Sequence, residues 1–171
     1  MPDFGIPDID PELAEPLGQI VVRWSSVENL ISMLLETLVF ADLGGMQVVT
    51  TNVAVSAQTK WIRALLSVNR PDSDSHKEQV EALMARADDL RIERNEFIHG
   101  YWDTTGCEPK TALIQTVNLD RNEIIRERLV TKNDLFDLVA DINEWIGDYV
   151  SLGRQLGFPR HKDGTKSIFV D

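Results

Sequence analysis

Nine apolar residues at helical spacing run through Leu17, Ile20, Val21, Trp24, Val27, Ile31, Leu34, Leu35 and Leu38. A stripe this long demands a helix of more than twenty residues with one face covered by other parts of the chain. Asp10-Pro11-Glu12, an N-cap residue followed by Pro, opens it, and Gly44-Gly45 stops it. Pro16 offers a second start, which would leave residues 11–15 as a separate turn. Glu28 stands within the stripe, four residues after Trp24 and three before Ile31, where an apolar side chain is expected.

Three further stripes can supply the cover. Residues Ser56–Val68 read as a second helix with Trp61, Ala64, Leu65 and Val68 inward. Residues 46–55, rich in Val and Thr, fit either a short helix or an extended link, and Asn69-Arg70-Pro71-Asp72 is loop chemistry. Ser75-x-x-Glu78 is a capping box opening a third helix, whose stripe is Val80, Leu83, Met84, Ala87, Leu90, Phe97 and Ile98. Gly100 ends it as a C′ residue. The period then changes: Thr111–Val117 and Glu123–Val130 are β-branched runs flanking residues 118–122, which reads as a β-hairpin. Thr131-x-x-Asp134 caps a fourth helix with Leu135, Leu138, Val139, Ile142, Trp145, Ile146, Tyr149, Val150 and Leu156 on one face, ended by Gly157 and Pro159. The expected fold is mainly α, a four-helix up-and-down bundle with a β-hairpin between the third and fourth helices. Residues 1–10 form an arm, 11–157 the domain, and 158–171 a loose, mildly basic tail.

At 171 residues with 43% hydrophobic and 26% charged, one domain with a real core is expected. No run reaches the roughly 18 apolar residues of a membrane span, and the start lacks a basic and apolar signal segment. A soluble cytoplasmic protein is the expectation. The single cysteine, Cys107, excludes an internal disulfide, and His76, His99 and His161 show no metal-ligand spacing, so neither metal nor cofactor is expected. Gly44-Gly45 lacks the Lys and Ser/Thr of a phosphate loop. Net charge is −11, and residues 1–59 carry eight acids against one base, Arg23. Nonspecific nucleic-acid binders show the opposite balance, so any RNA site must be local.

The stretch Arg94-Asn95-Glu96-Phe97-Ile98-His99-Gly100-Tyr101-Trp102 concentrates the chemistry. Arg94 sits four residues after Leu90 and three before Phe97, on the stripe, where a charge is costly unless paired or used. Asn95 and His99 are about 40° apart around the helix, so both address one region, with Arg94 in the neighbouring sector.

This arrangement, Arg94-Asn95-x-x-x-His99 at the end of a long third helix, resembles the HEPN superfamily, especially its small prokaryotic stand-alone members. Arg94 and His99 match the family's Arg-x4–6-His signature, and Asn95 matches the polar residue that often follows the Arg. Tyr101 extends the match to Arg-x4-His-x-Tyr, a pattern of HEPN toxins modified on that Tyr by a nucleotidyltransferase antitoxin. Trp24-x-x-Val27-Glu28-x-x-Ile31 is similar to the first helix of these families, and the helix order agrees over about residues 12–157. The resemblance implies a homodimer whose two motif helices face each other. It also implies a ribonuclease activity, as a toxin or defence effector, with an antitoxin protein as a further partner.

These residue types suit RNA cleavage through its own 2′-hydroxyl, which leaves a 2′,3′-cyclic phosphate. His99 suits the proton transfers, Arg94 supplies a permanent cation for phosphate, and Asn95 orients a hydroxyl or water. Structural roles stand beside these. His99 favours a helix C-terminus in any case, Arg94 can be neutralised by Glu28, and Asn95 can bridge loops. On those terms the chain is a non-catalytic dimeric scaffold. Trp24, Trp61 and Trp145 lie at core spacing, whereas Trp102, after the motif, is expected to stack on a base or a partner subunit, with Tyr101 near the same interface.

Overall fold

In the computed structural model of the chain, the described residues are 9–39, 53–68, 74–118 and 123–156. Outside them lie most of the N-terminal arm, Gly44-Gly45, the 46–52 link, the Asn69–Asp72 loop, the hairpin turn at 119–122, Gly157, Pro159 and the tail. The side chain of Ser75, and with it the capping box of the third helix, also falls outside.

The chain is mainly α-helical with a small antiparallel sheet. Its elements are α1 (Pro11–Val39), α2 (Val55–Val68), α3 (Asp74–His99), β1 (Tyr101–Asp103), β2 (Thr111–Asn118), β3 (Glu123–Thr131) and α4 (Lys132–Leu156). The contacts divide into two compact units. The first is residues 1–24 with 89–143, and the second is 25–88 with 144–171. The boundaries fall inside α1, α3 and α4, so each of these helices gives a segment to each unit.

In the first unit α1 begins as its sequence requires. Asp10 accepts the amide of Glu12 on its carboxylate at 2.9 Å, and its carbonyl accepts the amides of Leu13 and Ala14. Pro16 does not start a separate helix; it sits buried within α1. Lacking an N–H in the second turn, it costs one backbone bond, and burial with Leu13 and Ile20 offsets that loss. Glu12 reaches Lys110 at 2.9 Å and Lys132 at 3.0 Å, tying the start of α1 to the sheet loop and to α4.

The expected hairpin is present but incomplete as a description. β1, unforeseen because three residues carry almost no period, adds to β2 in the register Tyr101↔Gln115, Trp102↔Ile114 and Asp103↔Leu113. The strand order is β1-β2-β3, with a register shift between Thr116 and Val117. Trp102, Ala112, Ile114 and Val130 form the buried face. Gly100 is needed for a reason other than the left-handed cap that its position suggests. A Cβ there would lie 2.3 Å from Ile114 Cγ2 and 2.5 Å from the Glu96 carbonyl, so close approach of sheet to helix is what excludes a side chain. The expected capping box of α4 forms reciprocally: the Asp134 amide donates to Thr131 Oγ1, and the Thr131 amide donates to Asp134 Oδ2 at 2.8 Å.

In the second unit Ile31, Leu35, Ile62, Met84 and Trp145 are fully covered, and Trp145 donates its indole N–H to the Leu83 carbonyl at 2.8 Å. The face assigned to α2 needs correction. Trp61 is 43% exposed and Ala64 is exposed, whereas Val55, Gln58, Thr59, Ile62 and Leu66 are buried. Two positions of the buried face are polar, which disguises its phase. Both are satisfied: Ser32 Oγ donates to Gln58 Oε1, Gln58 Nε2 donates to the Val53 carbonyl, and Thr59 Oγ1 donates to Asp88.

Candidate functional site

Arg94, Asn95 and His99 lie on the last turns of α3, within the first unit, and the structure brings their side chains together. Arg94 Nη1 donates to Asn95 Oδ1 at 2.9 Å and lies 3.3 Å from His99 Nε2. A guanidinium Nη has two hydrogens, so one nitrogen can serve both partners. Arg94 and Asn95 are half-buried and His99 is exposed. The Arg94 guanidinium also lies 5.9 Å from the Trp24 ring centroid, within cation–π range. Its Nε is buried without a hydrogen-bond partner among the described residues. The charge that broke the apolar stripe therefore runs along the core edge and ends at the surface beside an imidazole.

Of the other expected site residues, Tyr101 and Trp102 lie on β1 and Glu28 on α1. Tyr101, on β1, is 37% exposed on the outward face of the sheet, paired with Gln115. Trp102 corrects the expectation of an accessible stacking surface. It is 6% exposed, and its indole N–H donates to the Phe97 carbonyl at 2.8 Å. Alternation along β1 turns Tyr101 out and Trp102 in, so the ring closes the core under the motif. Glu28 is half-buried on the part of α1 that belongs to the second unit. Cys107 is half-buried in the β1–β2 loop.

A second set of charges went unread in the sequence. Arg128 of β3 contacts Glu93 at 3.1 Å, Glu96 at 3.7 Å and Asp134 at 3.5 Å, and its guanidinium lies 5.0 Å from the Phe97 centroid. Arg126, two residues earlier on the same face, lies 3.3 Å from Glu96, whose side chain is only 9% exposed. Burial works against the charge of Arg128, but the Glu93 hydrogen bond and the charges of Glu93, Asp134 and Glu96 outweigh it and raise its pKa. Burial likewise pushes Asp134 up, yet the hydroxyl and amide of Thr131 and the charge of Arg128 leave it below the ordinary carboxylate value. The signal available was the i, i+2 spacing of two arginines, which puts both on one face of a predicted strand.

A groove of about 380 Å³ belongs to the second unit and contains none of the motif residues. Its arginine, Arg86, is tied to Glu144 and Asp148 at 2.6 and 2.9 Å. Among its lining residues the groove offers no imidazole or thiol, and its one guanidinium is engaged by these carboxylates. No protein-family model, curated protein or solved structure matches the chain.

Proposed function

We propose that the chain is a HEPN-type endoribonuclease needing no metal, a toxin or defence effector in the cytoplasm, built as a four-helix up-and-down bundle and acting as a homodimer. The observation that carries this reading is the placement of Arg94 Nη1 between Asn95 Oδ1 and His99 Nε2 at an exposed helix end. Arg94 is the donor in both contacts, so His99 holds its own proton on Nδ1 and offers Nε2 as acceptor.

A phosphate entering the site competes for the Arg94 hydrogens. Charge-assisted bonds to phosphate are roughly twice as strong as those to a neutral acceptor, so the guanidinium transfers to the anion and leaves Nε2 free. His99 then takes the 2′-hydroxyl proton as the 2′-oxygen bonds to phosphorus. The P–O5′ bond breaks, and the partner's His99, protonated on Nε2 once phosphate has drawn its own Arg94 away, gives that proton to the leaving oxygen. The products are a 2′,3′-cyclic phosphate and a 5′-hydroxyl. Asn95 holds the Arg94 fork in line and orients the sugar.

The test is RNA incubated with the purified protein in chelator, beside His99→Ala and Arg94→Ala. Each variant should lose on the order of 10²–10⁴ in rate, the usual share of a general acid–base group. Asn95→Ala should lose less. The net charge of −11 favours a second reading, a non-catalytic dimeric scaffold that engages an antitoxin or other protein partner. Intact RNA with wild type and His99→Ala alike, at neutral pH and low salt, would make that reading the better one.

A further inference from the structure

The end of α3 is gripped from behind. Around the helix, Glu93, Glu96 and Phe97 occupy one side, and Phe97 points roughly opposite to Asn95 and His99. On that rear side one guanidinium, Arg128, meets two carboxylates of α3, the capping carboxylate of α4 and the flat face of Phe97. It therefore fixes α3 to β3 and to the start of α4 in a single fork. The side chain of Arg128 is 27% exposed and that of Glu96 is 9% exposed, so solvent screens these contacts only in part. Trp102 holding the Phe97 carbonyl and Ile114 against Gly100 complete the seat.

Such a grip controls rotation of the helix end. Side-chain tips stand about 5–6 Å from a helix axis, so a roll of roughly 20° carries them about 2 Å. The Arg94 guanidinium also rests 5.9 Å from the Trp24 ring of α1, which does not follow the roll, so the displacement would pull Arg94 between Trp24 and His99 and disturb its 3.3 Å approach to the imidazole. Misplacement of about 1 Å can cost on the order of 10²-fold in a catalysed rate.

We propose that Arg128 is a positioning residue for the Arg94–Asn95–His99 site, acting through the rear face of α3. The kinetic part of this proposal rests on the nuclease reading; the geometric part does not. Arg128→Ala should lower kcat on RNA by about 10–100-fold with KM within about threefold. Arg128→Lys should not restore it, because an ammonium can neither span three carboxylates nor lie flat on a ring. Arg126→Ala, which removes a pair whose arginine is 60% exposed, should stay within about twofold of wild type.

The same variants should be read by ¹⁵N resonances of the His99 imidazole, which report its tautomer without any substrate. Arg128→Ala should replace the single Nδ1–H pattern by mixed or shifted resonances in a protein that still melts cooperatively. Wild-type His99 resonances and wild-type kcat in folded Arg128→Ala, or full recovery in Arg128→Lys, would overturn the proposal. Should Arg128→Ala not fold, Glu93→Gln removes the shortest contact of the fork and must shift the same resonances. Should the wild type cleave no RNA, the nuclease reading fails while the His99 resonances still decide the role of Arg128.

Discussion

Arg94 Nη1 stands 3.3 Å from His99 Nε2, a cation that does not release its protons facing a nitrogen that must accept one. A guanidinium can only donate, so this approach favours the tautomer with its hydrogen on Nδ1, turned away from Arg94. We expect ¹⁵N spectra of the free protein above neutral pH to show an acceptor-type Nε2. In Arg94→Ala the preference should disappear and both tautomers should be populated. An Nε2–H pattern in wild type would contradict the site geometry directly.

Gly100→Ala should destabilise the fold by roughly 1–3 kcal/mol, the usual penalty of forcing a methyl into filled space. One of the two atoms it meets is the Glu96 carbonyl, which cannot swing aside as a flexible side chain would. Urea unfolding measures the cost. A loss below about 0.3 kcal/mol would mean that sheet and helix are looser than the 2.3 Å and 2.5 Å approaches imply.

The tryptophans should divide sharply. Trp102→Phe keeps the ring but leaves the Phe97 carbonyl without its donor, a cost of about 1–3 kcal/mol. Trp145→Ala should cost about 3–5 kcal/mol, since its fully buried ring is lost along with the bond to Leu83. Trp61→Gln, at a 43% exposed position, should stay within about 0.5 kcal/mol. Thermal melts should place Trp61→Gln highest, Trp102→Phe below it and Trp145→Ala lowest.

Asp134 supplies an acid limb to the stability curve. Its folded pKa is lowered, so its contribution is complete above the unfolded carboxylate value of about 4 and is lost as pH falls through the folded value. Asp134→Asn should be less stable than wild type at neutral pH, and the gap should narrow steadily as pH drops below about 4. Denaturant midpoints at stepped pH measure this. A gap that stays constant through that window would show that the carboxylate charge contributes nothing.

What was legible in the sequence followed the length of each pattern. Val80, Leu83, Met84, Ala87, Leu90 and Phe97 are buried and Ile98, the last expected position, is half-buried, because a stripe this long fixes a helix phase even with Arg94 within it. The hairpin strands fell within one residue of their predicted ends. α2 itself was legible, but its inward face was not, because Gln58 and Thr59, buried and bonded, look like a solvent face to any apolar count. β1 and Trp102 failed together: three residues give too little alternation to show that one ring points inward. That Asn95 and His99 share a region, with Arg94 in the neighbouring sector, could be anticipated from angle alone, since all three belong to one helix. The grip of Arg128 could not, because its partners come from α3 and α4 and only the folded register brings them to one fork.

Among the described residues β3 ends the sheet, and its backbone edge is a template on which a second molecule can add by strand pairing. Its sequence answers that hazard. A two-fold copy docking antiparallel about Glu127 sets that carboxylate against itself and Arg126 against Arg128. Sliding to a centre at Arg126 or Arg128 puts like guanidinium groups face to face instead. Directly opposed like charges disfavour a pair, so the same arginines that hold α3 also keep this edge from seeding aggregates of the chain.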